Sequence, residues 1–376
     1  MKIIVISQHD PNIFPHMYYI ARGLRDMGHE VVFISSVSYN DARSEGRSLR
    51  HVLVSKSLGW RAKVPFVRAN YHALLATFIR ERPDWIITQH EYVVPAVFYR
   101  FLPVKRAYVA ASFVDFHGAR RYVRALKPLA GVIDAYLDVC EMRVAWQKDL
   151  WPRMVAPAFV ARNAALRQPQ RPFAPHAGPA RVVLTGSALL MLEICSPARL
   201  GRFIERLCAH GVSLDWYIHA SPGKLSVALD AARGLCAHPL YRVHGPLPKR
   251  ELLAVIGDYD AGLFWAPLAD ADLNVARDRS VFVSAASNKI CEYIAAGLVV
   301  AHTGNPGLSY LPADVSFAFD ATDPEAAADQ LAAALSDRPT LERKRQAALQ
   351  YHQTEMNFEA QIVPFLDYVD GRVPPR

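Results

Sequence analysis

Lys289 and Glu292 stand three residues apart in the stretch SNKICEYIAAGLVVAHTGNPG (287–307). On a helix that spacing puts both side chains on one face. Ser287 or Asn288 suits the start of such a helix, and Gly297 suits a left-handed stop. LVVA (298–301) is apolar and β-branched enough for a strand buried on both faces. A helix N-terminus offers backbone N–H groups and the positive end of a dipole, which fits a diphosphate. Lys289 adds a cation at that end, and Asn288 a polar side chain. Glu292 supplies a carboxylate that accepts hydrogen bonds from a ribose. An anion site beside a carboxylate is what a nucleotide-sugar requires.

A second set of polar residues precedes this one. The loop SFVDFHG (112–118) follows a buried strand and leads into a helix, so it opens at the carboxyl edge of a sheet. Asp115 and His117 point to one side if the loop stays extended. Asp115 suits a general base for a hydroxyl nucleophile. The plainer alternative is that Asp115 caps the following helix and His117 packs. His9 and Asp10, at the tip of the first strand, share that edge and suit an acceptor.

The elements that must position these residues alternate along the chain. KIIVIS (2–7), MGHEVVFIS (27–35), HVLVS (51–55), DWIITQ (84–89), RAYVAAS (106–112), DAYLDVC (134–140) and RMVAPAFV (153–160) read as strands. Helical spacing separates them, as at Met17, Ile20, Ala21, Leu24 and Met27, and again around 69–82. The proline-rich QPQRPFAPHAGPA (168–180) reads as linker. RVVLTGS (181–187), SLDWYIHA (213–220), YRVHG (241–245), DAGLFWAP (260–267), LVVAHTG (298–304) and VSFAFD (315–320) form a second strand series. DPEAAADQLAAALSD (323–337) is helical by propensity, and a final helix is expected over about 340–366. Alternation of this kind predicts parallel sheets wrapped by helices. The expected division is 1–165, a linker at 166–180, 181–345, and a C-terminal helical segment 346–376 that crosses back to the first domain.

Composition bounds the function. The chain has 376 residues, 52% hydrophobic and 21% charged, which fits about two globular domains. No apolar run reaches membrane-span length, and MKIIVISQHD enters a strand rather than a signal peptide. The five cysteines are scattered without a C-x-x-C, which predicts neither a zinc site nor a disulfide framework and fits a reducing cytoplasm. Residues 1–165 carry 23 Lys+Arg against 13 Asp+Glu, whereas residues 166–376 carry 20 against 22. The basicity of the first half suggests an anionic partner. Trp60, Arg61 and Lys63 in LGWRAKVPFVRANYHALL (58–75), and Arg120, Arg121 and Arg124 in GARRYVRALKPLAG (118–131), set cations beside aromatics, which suits a bilayer interface or, equally, an ordinary basic surface with its aromatics in the core. No nucleic-acid recognition fold is visible. The loop SQHDPNIFPH (7–16) contains no glycine, which excludes a dinucleotide-binding dehydrogenase.

The segment from Lys289 through Glu292, Tyr293, Ala295, Ala296 and Gly297 to Val299 and Val300 resembles the donor-site pattern of GT-B glycosyltransferases, family 4 in particular. MGHEVVFIS (27–35) and GPLPKRELLAVIGDYDAGLFWAP (245–267) resemble two further segments of those enzymes, in the right order. The resemblance implies two Rossmann-like domains whose sheets face a central cleft. It implies a donor diphosphate at the helix from 288 with Lys289 as counter-charge, and a base near GPLP (245–248), beginning at Gly245. Gly186, Ser187, Thr303, Gly304 and Asn305 line the same edge. The chain departs from the family at Ser284, where the E-x7-E pattern has its first Glu. It departs again in TGSALLMLEICSP (185–197), which lacks the usual Arg and Lys; Arg277 or Arg279 in the loop 269–287 could supply the charge, and the plainer alternative is that this loop is a solvated surface. GSALLMLEI (186–194) and SQHD (7–10) are closer to the xanthan glucuronosyltransferase type, family 70, which is inverting and carries an Asp in the loop of Asp115. In a retaining enzyme His117 instead holds the donor sugar.

The resemblance thus implies a glycosyltransferase moving a sugar, from a UDP-sugar by expectation, to a lipid-linked or polysaccharide acceptor at the inner membrane face. No cofactor and no metal is expected, since Asp270-Ala271-Asp272 reads as a solvated loop and not as the cation motif of GT-A enzymes. The rivals are a nucleotide-sugar 2-epimerase of the same fold and a degenerate GT-B subunit that only binds.

Overall fold

A computed structural model describes residues 1–7, 16–35, 49–54, 71–89, 92–112, 127–167, 178–220, 222–247, 249–267, 281, 285 and 287–371. The chain divides into two compact units, one formed by Met1–Ala161 with Gln361–Arg376 and one by Arg162–Ala360.

The first unit is built on strands β1 (Lys2–Ile6), β2 (Glu30–Ser35), β3 (Arg50–Leu53), β4 (Trp85–Gln89), β5 (Tyr108–Ser112), β6 (Ala135–Asp138) and β7 (Ala158–Val160). Among the described residues they form one sheet in the order β3-β2-β1-β4-β5-β6-β7, with every pair parallel. Runs such as IIVI and WIIT are apolar on both faces because helices cover both. Helices α1 (Tyr71–Glu81) and α2 (Val93–Arg100) cover one face, where Ile4, Ile86 and Val109 meet Phe78 and Tyr99. On the other face Phe159 meets Phe365 and Tyr368 at ring separations of 5.6 and 5.2 Å. Those two rings belong to the helix Phe358–Gly371 at the chain's end, which also sends the Tyr368 hydroxyl to the Asp134 carbonyl and pairs Asp370 with His29.

The second unit repeats the plan. Strands β8 (Arg181–Gly186), β9 (Ser213–Ile218), β10 (Tyr241–His244), β11 (Ala261–Phe264), β12 (Val299–His302) and β13 (Ser316–Ala318) form a parallel sheet in the order β10-β9-β8-β11-β12-β13. Leu184, Trp216, Leu263 and Ala301 face Phe203, Leu207 and Leu331 on one side. Near the amino edge the buried Asp260 carboxylate accepts from the Arg181 amide and from Arg338, and it lies 3.5 Å from Arg345. In each sheet the strand order reverses beside the first strand, at β1/β4 and at β8/β11. In an open parallel sheet that reversal leaves a crevice at the carboxyl ends of the strands.

The thirteen expected strands are all present, with ends within a few residues. The single helix expected over about 340–366 is instead two, Arg338–Thr354 and Phe358–Gly371. The break is built by Asn357, whose amide nitrogen donates to the His352 and Gln353 carbonyls while its oxygen caps the next helix at Ala360. Asn is a preferred N-cap, and one side chain thus ends one helix and begins the next.

Phe365 is fully buried against Phe159. Phe365→Ala should therefore destabilise the first unit by about 3–5 kcal/mol. Denaturant unfolding followed by tryptophan fluorescence checks this; an unchanged midpoint contradicts the packing.

Candidate functional site

The helix Asn288–Ala295 packs on the face of the second sheet near the β8/β11 reversal. Ser287 is its N-cap by backbone angle, and its side chain makes no capping hydrogen bond. The first-turn amides are therefore not closed by the cap side chain. Gly297, at φ +74°, ends the helix as its sequence position predicted.

Lys289 projects from the first turn onto the end of β8. A Cβ at Gly186 would overlap Cε of Lys289 and lie 2.9 Å from its Nζ. Gly186 also sits at φ +105°, a region that side chains rarely adopt. The glycine thus serves twice: it turns the chain at the strand's end and leaves a bare backbone bed for the lysine. The ammonium lies 5.9 Å from the centre of the Phe264 ring, within cation–π range. Among the described residues no hydrogen-bond acceptor meets it, and no carboxylate comes within ion-pair distance. Desolvation pulls its pKa down to about 8, while the charge of Glu292, one turn away, pulls the other way.

The helix is fixed by Tyr293. Its hydroxyl accepts from the Thr185 amide (2.9 Å) and the Thr185 hydroxyl (3.2 Å), and donates to the Leu263 carbonyl (3.3 Å). The ring lies directly over Gly262, where a Cβ would fall against it. Tyr293, Gly262, Thr185 and Phe264 carried no assigned role in the sequence reading, although a glycine inside a strand is a known mark of close approach.

The loop after β12 is largely committed to its own structure. The Thr303 hydroxyl accepts from the Ala266 amide (3.3 Å), and Asn305 spans the Ala266 carbonyl and the Gly307 amide. His302 accepts from the Gly304 amide through Nδ1; burial holds its pKa near 4, so the lone pair persists. Gly304 is exposed at φ +64°. Gly245 is exposed at the end of β10, with open space where a side chain would stand.

The structure therefore brings Gly186 and Lys289 into contact, with Ser187 and Asn288 next to them in the chain and Glu292 one turn on. It shows no contact from these to Gly245, Thr303 or Gly304. Asp115, His117, His9, Asp10, Trp60, Arg61, Lys63, Arg120, Arg121 and Arg124 lie outside the described residues, as do Ser284, Arg277, Arg279, Asp270 and Asp272. Among the described residues no cluster of His, Cys, Asp or Glu could hold a metal ion, and no helix is long and apolar enough to cross a membrane.

At the carboxyl edge of the first sheet, Asp138 is buried and accepts from the Val139 amide and from Gln147. Burial pushes its pKa up to about 7. These bonds tie β6 to the helix Glu141–Leu150, a structural use of the carboxyl group.

Residues 15–136 match the model of Glycosyltransferase Family 4. HepE of Anabaena, solved with UDP and glucose, is 12% identical with a TM-score of 0.64, over 99% of this chain and 100% of that one. WaaG, a glycosyltransferase involved in lipopolysaccharide biosynthesis, is 14% identical with a TM-score of 0.59, over 99% and 100%. A putative UDP-N-acetylglucosamine 2-epimerase of Listeria monocytogenes is 12% identical with a TM-score of 0.61, over 99% and 97%. No curated protein sequence matches significantly. The chain has the GT-B fold, with one Rossmann-like sheet in each unit.

The Lys289 ammonium should titrate far below an ordinary lysine. In ¹³C-labelled protein its Cε resonance should shift with a midpoint at about pH 8. A midpoint near the usual lysine value of about 10.4 would show that the amine sits in water.

Proposed function

We propose that this protein is a glycosyltransferase that moves a sugar from a nucleoside diphosphate donor to a hydroxyl acceptor. The observation that carries the reading is Lys289, laid across Gly186 beside the β8/β11 reversal with no acceptor of its own among the described residues. A diphosphate at that place would meet the ammonium and the helix amides together. Charge that develops on the leaving diphosphate is then stabilised by groups already in position. Glu292 is our candidate for the ribose, and Gly245 marks the end of β10 where the base would lie. Ser187, Thr303 and Gly304 complete the proposed donor edge. UDP is the proposed nucleotide, supported by HepE having been solved with UDP.

Asp115 is the proposed general base of an inverting reaction, and His117 the proposed donor-sugar contact of a retaining one. His9 and Asp10 are proposed to orient the acceptor, a lipid-linked or polysaccharide glycan of the bacterial envelope. Neither a metal nor a cofactor is invoked in this scheme. Lys289→Ala should weaken UDP binding about tenfold or more, the scale of a lost charged hydrogen bond. Asp115→Asn should leave UDP binding intact and abolish transfer if the enzyme inverts. Calorimetry with UDP and a transfer assay with a panel of UDP-sugars check both; wild-type affinity in the lysine variant refutes the donor site. The epimerase shares the fold, so UDP-N-acetylglucosamine without acceptor is the control: isomerisation there would replace the transferase reading, and absence of both activities would leave a binding subunit.

An anionic membrane surface at the cytoplasmic side is the proposed partner of the first unit. Besides its basic sequence, the unit exposes Phe98 (56%) and Phe101 (69%) together with Ile79. Arg82 and Arg106 lie on the segments entering β4 and β5. Arg82 holds a left-handed φ of 49°, where glycine is the usual residue. The protein should sediment with phosphatidylglycerol vesicles and not with phosphatidylcholine vesicles, and Phe98→Ser with Phe101→Ser should weaken this. Equal partition to both vesicle types would exclude the electrostatic part.

A further inference from the structure

Tyr293 and Lys289 are four residues apart, one helical turn, and therefore share the face turned to the sheet. Along β11, Gly262 and Phe264 are two apart and point to that same face. They form two adjacent seats. The Tyr293 ring occupies the one over Gly262, and the Lys289 ammonium lies by the Phe264 ring. Packing alone would be met by phenylalanine. A buried hydroxyl costs desolvation unless it is bonded. Here its bonds go to Thr185, the residue immediately before Gly186, and to the strand beside it. The hydroxyl has one proton and two lone pairs, and all three are used.

We infer that Tyr293 is a positioning residue of the donor site, its hydroxyl locking the helix Asn288–Ala295 to the end of β8 at the spacing that lays Lys289 across Gly186. This inference rests on the nucleotide reading of the site. Without the hydroxyl the helix keeps its apolar packing and loses its fixed height on the strand, so the ammonium leaves its place by the Phe264 ring. The Thr185 amide lies one residue from the glycine bed, and hydrogen-bond length tolerates only a few tenths of an ångström. A small slip of the helix therefore acts directly on the lysine.

The test is calorimetric titration of the full chain with UDP and with inorganic pyrophosphate across pH, for wild type and Tyr293→Phe. Wild-type affinity for both should be level up to about pH 8 and fall above it as Lys289 loses its proton. In Tyr293→Phe both ligands should bind about tenfold more weakly, and the break in affinity should move to higher pH as the amine becomes hydrated. Lower thermal stability with unchanged affinity and an unchanged break would mean a merely structural tyrosine and overturn the inference, while the nucleotide reading stands. Failure of wild type to bind either ligand would overturn both. If Tyr293→Phe does not fold, Thr185→Ala is read instead. It removes one of the three bonds and should weaken UDP and pyrophosphate two- to threefold; no change overturns the inference.

Discussion

The arrangement depends on one close approach: the tail of Lys289 lying on the bare backbone of Gly186. Any side chain at that glycine would displace the lysine, and any other backbone angle would redirect the strand's end. The approach also lays the half-buried ammonium within cation–π range of the Phe264 ring, with Glu292 one turn on. Desolvation of a charge is costly, and in the proposed function a diphosphate would offset that cost.

The rest of the second unit can be seen as what holds that approach in place. The parallel sheet reverses its order beside β8, which opens a crevice at the strand ends. Gly262 admits the Tyr293 ring, and Tyr293 fixes the helix to Thr185 and Leu263. Asp260, near the opposite edge, ties Arg181 at the start of β8 to the helix Arg338–Thr354, so β8 is anchored at both ends. The loop through Thr303 and Asn305 is tied to the segment after β11 by its own side chains. Rigidity here comes from buried hydrogen bonds.

Much of the fold was legible because its strands are short, apolar and β-branched, and because glycine and proline punctuate them. Lys289, Gly186 and the stop at Gly297 were legible for the same reason: each has a residue type with few other uses at its position. The contact between Gly186 and Lys289 was not, since 103 residues separate them in the chain and no local pattern reports a contact made across strands. Tyr293 was visible as part of a motif, but its hydroxyl partners come from β8 and β11. The long C-terminal helix was misjudged because propensity favours helix throughout 340–366, and a single capping asparagine breaks it by bonding both ways. The bond from the Ala266 amide to the Thr303 hydroxyl was not legible either, since it joins two loops 37 residues apart.

The most direct measurement is a crystal structure of the protein soaked with UDP. The account predicts a phosphate oxygen about 2.7–3.0 Å from Nζ of Lys289, the range of a charge-assisted hydrogen bond, with the diphosphate against the first-turn amides of the helix from Asn288. Nucleotide density elsewhere in the second unit, with the lysine still lying unpaired on Gly186, would contradict it.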